Sequence, residues 1–147
     1  MEYPLQPSPT RTGDKLHSDI PGYGRGQWTP SVGGTATYTN QVGRYVLLGD
    51  VVFISARLQI NTIGSGLAGN ILNLPFTASG ADRRYAIPVA YIETAAISFI
   101  HIVMSIASGS NTLAIRGLTA SGASFVDLAV LGNGTWIDFS GFYDIQK

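Results

Sequence analysis

Between residues 50 and 60 apolar and polar side chains alternate: Val52, Ile54, Ala56, Leu58 and Ile60 fall on one side, and Ser55, Arg57 and Gln59 on the other. A period of two is that of a pleated strand with one buried face, so a half-buried strand is predicted there. Runs rich in Val, Ile, Thr, Phe and Tyr, cut by Gly and Asn, predict further strands at residues 35–39, 43–48, 70–74, 84–93, 111–117, 124–131 and 135–145. No segment carries a convincing helical period. Residues 97–107 are apolar on both sides, with Ile97, Phe99, His101 and Val103 on one and Ile100, Ile102, Met104 and Ile106 on the other. Such a strand has to be covered twice, once by the domain's own core and once by a subunit contact, although periodicity alone does not separate it from a buried helix. Asn133-Gly134 suits a tight hairpin turn between a strand ending at Leu131 and one beginning at Thr135. Short strands at this spacing predict an all-β fold, a jelly-roll-like β-sandwich, over residues 27–147.

Residues 1–26 break the pattern. Pro4, Pro7, Pro9, Pro21 and the nearby Pro30 are mixed with Gly22, Gly24 and Gly26. Proline removes a backbone donor and fixes its own φ, so this segment suits neither a helix nor an inner strand and is predicted to be an extended arm. Tyr3, Leu5, Leu16, Ile20 and Tyr23 are spaced too widely to form a core and are its candidate anchors on a partner. A disordered tail has the same composition and stays open as the alternative.

Only 12% of the 147 residues are charged and the formal net charge is zero, where about 25% charged is usual for a soluble domain. A domain that hides much of its outside against sister subunits needs fewer charges. Self-association is therefore expected, with Phe99, His101, Ile102 and Val103 as candidate interface residues. The same shortage argues against nucleic acid, because the only adjacent basic pair is Arg83 and Arg84. There is no cysteine, so no disulfide or thiolate site exists. The longest apolar stretch, residues 95–107, contains His101 and is too short to cross a bilayer, so no membrane partner is expected. No apolar run follows a basic start, which points to synthesis in a cytoplasm.

Catalytic patterns are weak. Gly64, Gly66 and Gly69 match a dinucleotide-binding spacing, but a short strand ended by Pro75 follows, so no helix N-terminus meets a phosphate and a loop is the expected reading. Asn133-Gly134-Thr135 is formally a glycosylation acceptor and reads as a turn. His17 and His101 are the only histidines and are too far apart for a metal site, so neither metal nor cofactor is expected. Asp127, Asp138 and Asp144 are the candidate carboxylates for sugar hydrolysis. Asp138 and Asp144 lie on one face of one predicted strand at about 20 Å, too far apart to share a glycosidic bond. No nucleophile elbow surrounds any serine. The expectation is a protein without catalysis. Trp28, Tyr38, Tyr45, Tyr85, Tyr91, Trp136, Phe142 and Tyr143 serve as core or interface residues, or build a sugar-binding surface.

The ordered motifs Gln27-Trp28-Thr29-Pro30, Gly33-Gly34, Thr37-Tyr38, Gln41-Val42-Gly43-Arg44-Tyr45, Gly49-Asp50-Val51-Val52-Phe53, Ile71-Leu72-Asn73-Leu74-Pro75-Phe76 and Asp138-Phe139-Ser140-Gly141-Phe142-Tyr143 resemble a pattern in tail-fibre, tailspike and other virion proteins of tailed bacteriophages. The resemblance implies a β-sandwich that forms a homotrimer in the virion, at a fibre tip or on a capsid. Fibre members usually carry a long shaft ahead of this module. An arm and a knob as a complete short protein look more like a capsid decoration, or cement, protein whose arm grips the major capsid protein or another virion protein. Read as a fragment, the chain is a tail-fibre or receptor-binding tip that attaches to host surface glycan or protein.

Overall fold

The computed structural model describes residues 22–80 and 82–146. Ten strands follow one another: β1 (Tyr23–Trp28), β2 (Thr37–Leu48), β3 (Val51–Thr62), β4 (Asn70–Ile71), β5 (Tyr85–Ile87), β6 (Val89–Glu93), β7 (His101–Ile106), β8 (Leu113–Leu118), β9 (Val126–Asp127) and β10 (Trp136–Asp144). They form two antiparallel sheets. The first has the order β1-β2-β3-β10-β6, and the second β4-β8-β7-β5 with β9 also paired to β8. The chain crosses between sheets after β3, β5, β6 and β9, which makes the fold an all-β sandwich.

The alternation in β3 is reproduced side chain by side chain. Val52, Ile54, Ala56, Leu58 and Ile60 are buried, and with Ile137, Phe139 and Tyr143 of β10 they face Ile71, Ile87, Met104, Ile106, Leu113 and Ile115 of the second sheet. Each large side chain so buried contributes about 1.5–3 kcal/mol. Residues 35–39 and 43–48 are one strand, β2, whose register shifts between Tyr38 and Asn40. Gly49-Asp50 turns it into β3, with Leu48 opposite Val51 and Gly49 at φ 60°. Positive φ at the first central residue and not at the second is the type II′ pattern, which favours glycine there.

Several expectations need correction. Tyr23 to Gly26, assigned to the arm, belong to β1 and pair with residues 45–48 of β2, so the sandwich begins four residues before Gln27. Across the β1–β2 pair an aromatic ring fills the space two glycines leave: Gly26 of β1 lies opposite Tyr45, and Gly43 of β2 opposite Trp28. The other proposed anchors, Tyr3, Leu5, Leu16 and Ile20, lie outside the described residues. Residues 84–93 are two strands in different sheets, divided at Pro88, which has no N–H to continue a ladder. Residues 124–131 shorten to β9; Leu128, Val130 and Leu131 remain buried as irregular chain, held by bonds such as Leu131 N to Ala68 O at 2.8 Å. Asn133-Gly134 is no strand-to-strand hairpin. Only Gly134 has positive φ, and the turn caps β3 instead, Gly134 N donating to Ile60 O and Ile63 N to Asn133 Oδ1.

Candidate binding face

The outer face of the first sheet places unusual residues in solvent. Register across β2, β3 and β10 sorts its outward side chains into rows: Asn40–Gln59–Trp136, Val42–Arg57–Asp138, Arg44–Ser55–Ser140, Val46–Phe53–Phe142 and Leu48–Val51–Asp144. On β6, Glu93 extends the first row and Tyr91 the second. Ser55, Ser140 and Ala90 are small, so the middle of the face sinks into an open depression of about 410 Å³, also lined by Asn40, Val42, Arg44, Arg57 and Asp138. Ala90 reaches it because the β6–β10 register slips between Asp138 and Phe139.

One flank of the depression is a tied polar and aromatic cluster. Arg57 grips Asp138 through both carboxylate oxygens at 3.0 and 2.8 Å and lies 4.8 Å from the centre of the Trp136 ring. Trp136 Nε1 donates to the same carboxylate at 2.9 Å, and Tyr91 packs edge-on against Trp136 while donating to Glu93 at 2.8 Å. The Arg57 hydrogen bond holds the Asp138 carboxyl below the usual carboxylate range, with Trp136 assisting against partial burial. Bonding to Glu93 pushes the Tyr91 phenol up. The other flank is apolar: Phe53 and Phe142 are tilted together at 5.7 Å and are 43% and 59% exposed.

The four predicted interface residues separate. Phe99 and Ile102 are half-buried and pack against the domain's own core. His101 and Val103 lie on the outer side of β7; Val103 is half-buried opposite Arg116, and exposed His101 meets the Phe125 ring edge-on at 5.8 Å. Ile100, expected beside Ile102 and Met104, is 62% exposed because the strand starts only at His101. Phe125 and Val126 are exposed as well, and their side chains leave the chain at β9 on opposite sides, Val126 opposite Gly117 with the parity of buried Leu128 and Phe125 against His101.

The candidate carboxylates are all engaged: Asp127 with Arg116 at 2.7 Å, Asp138 with Arg57 at 2.8 Å, and Asp144 with Arg83 at 2.6 Å. The glycine-rich segment at residues 64–69 is an ordered loop clipped to residues 32–35, with Leu67 N donating to Val32 O and Ser65 N to Thr35 Oγ1. Among the described residues no group of three His, Cys, Asp or Glu could hold a metal, and no helix is long and apolar enough to cross a membrane. Sequence reasoning placed Ser55, Arg57 and Gln59 outward but passed over the outward row through Phe53 and Phe142. The signal was present in β2 and β3, where Val42, Val46, Leu48 and Phe53 share the parity of Arg44 and Arg57.

The sandwich is similar to part of a known structure, the crystal structure of the Dettilon tailspike protein (gp208). The match has a TM-score of 0.63 at 15% identity and covers 83% of this chain. It shows a shared fold. The chain spans 24% of the length of that protein. No family model matches the sequence, and no curated protein does.

Proposed function

We propose that the chain is a non-catalytic structural module of a tailed-phage virion, set in the tail apparatus and assembled as a homotrimer. The observation that carries this reading is the superposition of most of the chain on about a quarter of a tailspike protein, and the motifs quoted from the sequence point the same way. Of the two placements the sequence leaves open, the tail-fibre or tailspike-like one draws on this likeness. The capsid-decoration placement draws on the arm-and-knob reading of the sequence and not on this likeness. Low charge and the exposed apolar residues Ile100, Phe125 and Val126, with His101 against the Phe125 ring, support a contact between copies. The Arg57–Asp138 pair supports the absence of glycosidase chemistry at that carboxylate, since a carboxylate held ionised by arginine is a poor proton donor.

Gold-labelled antibody against the full chain, applied to intact particles, tests the placement. Label on the tail is the expected result. Label spread over the shell would replace the tail reading with a decoration protein, and absence from the particle would remove the virion reading altogether. Sugar released from host polysaccharide by the wild type and lost in Asp127→Asn or Asp138→Asn would overturn the non-catalytic assignment.

A further inference from the structure

We propose that the depression on the outer face of the first sheet is the docking site of residues 3–9 of the same chain, held there as a polyproline II segment. Residues 1–21 lie outside the described residues, and the described chain begins at Gly22, whose carbonyl accepts from Gly49 N at 3.0 Å. The segment therefore enters beside the β2–β3 turn, at the end of the face that holds the row Leu48–Val51–Asp144, and the exposed row Val46–Phe53–Phe142 is the next one in. Residues 10–21 span about 40 Å at full stretch, whereas the five strands of the sheet extend over about 19 Å. Every part of the face is thus within reach of residues 3–9 without a second copy. A tether of that length keeps the segment at an effective concentration on the order of millimolar.

The sequence of the segment suits this site. In Tyr3-Pro4-Leu5-Gln6-Pro7-Ser8-Pro9 the three prolines fix their own φ, and Tyr3, Gln6 and Ser8, each before a proline, are pushed toward extended backbone. Leu5 alone keeps its freedom, so docking costs little chain entropy. A polyproline II chain makes no internal hydrogen bonds, so its groove has to offer apolar rings to the prolines and donors to the carbonyls. The depression offers both. Phe53 and Phe142 are exposed along one wall, and Tyr91 and Trp136 stand edge-on to each other at 5.5 Å on the opposite wall. The floor is the row Arg44–Ser55–Ser140, whose side chains make no hydrogen bond or ion pair among the described residues. Pro4 and Pro7 are one polyproline II turn apart, about 9 Å, close to the ~9.6 Å between β2 and β10 on either side of β3. A segment lying across the strands therefore repeats in step with alternate strands, and Glu2 brings a carboxylate for the Arg44 guanidinium. The proposal holds wherever in a particle the module sits.

The chain has no cysteine, so Thr10→Cys carries a single nitroxide beside the segment, and paramagnetic broadening in the NMR spectrum of the full chain reads where it sits. The expected result is strong broadening at Phe53, Ser55, Ser140 and Phe142, with Val103 and Arg116 on the outer side of the second sheet left sharp. Pro4→Ser with Pro7→Ser should reduce the broadening at Ser55 and Ser140 severalfold. Phe53→Ser with Phe142→Ser should do the same, and both side chains are exposed enough to be changed without loss of the fold. Spin-labelled chain without isotope, refolded together with isotope-labelled chain without the nitroxide, should give no broadening. Even broadening over both faces, no broadening of the first sheet, or full broadening in either double variant would overturn the docking. Broadening in the mixed sample would mean that a sister copy supplies the segment and would overturn docking within one chain.

Discussion

Trp28 and Gly43 face each other across β1 and β2, and a Cβ placed on Gly43 would lie 2.5 Å from the indole nitrogen. Glycine is needed here for the space it leaves, since its φ is ordinary. Gly43→Ala should cost about 1–3 kcal/mol, the usual penalty for overpacking, whereas Gly80→Ala, with nothing within 4 Å of its Cβ, should stay within about 0.5 kcal/mol of wild type. Urea unfolding of the two variants checks this, and equal midpoints would refute the packing role. Asp138 supplies a pH dependence. Its carboxyl is held below the ordinary range by Arg57, so its contribution is present above the unfolded carboxylate pKa, about 3.9, and is lost as pH falls through the lower folded value. Asp138→Asn should thus be less stable than wild type at pH near 6, with the gap narrowing on acidification. A gap of the same size at acid pH would mean that the ion pair does not contribute. Tyr143 runs the opposite way: burial pushes its phenol up to about 12, so its contribution is complete below the unfolded phenol value and fades as pH climbs toward about 12.

At the scale of elements, β3 and β10 were legible because a single signal, period-two alternation against one core, decides them. Where the sequence misled, a second constraint had won. Pro88 splits one apparent strand between two sheets, and residues 128–131 bury three apolar side chains without pairing as a strand, so their hydrophobicity imitates one. The phage-like motifs proved to be joints between elements. Tyr45 packs edge-on against Phe76 at 5.2 Å, Tyr143 donates to Phe76 O at 2.9 Å, and Gly141 leaves room for Ile87 from the facing sheet. None of these long-range partners could be read from one sequence, and neither could the depression, which depends on register across strands far apart in the chain. Tyr143→Phe should lose about 1–2 kcal/mol, because it leaves the Phe76 carbonyl without its donor. Melting at neutral pH reads this directly, and an unchanged midpoint would show that water takes the place of the phenol.

For the whole molecule, two exposed surfaces compete for the role of subunit contact. The first-sheet face contains exposed Arg44, which makes no hydrogen bond or ion pair among the described residues and whose charge a protein partner would have to satisfy. The exposed apolar side chains Ile100 and Phe125 at the start of β7 and before β9 have no such requirement, and their burial between copies would remove exposed apolar area from a chain with zero net charge. Sedimentation of wild type should therefore give a trimer at micromolar concentration. Ile100→Asp should give a folded monomer, because Ile100 is 62% exposed in the single chain and an aspartate there is solvated until copies meet. Ile102→Asp, pointed toward the core beside Met104 and Ile106, should instead lose the fold itself. If Phe142→Asp yields the monomer and Ile100→Asp does not, copies meet through the first sheet, and its depression is then buried between them. A wild type that sediments as a monomer would end the trimer and leave the low charge without its explanation.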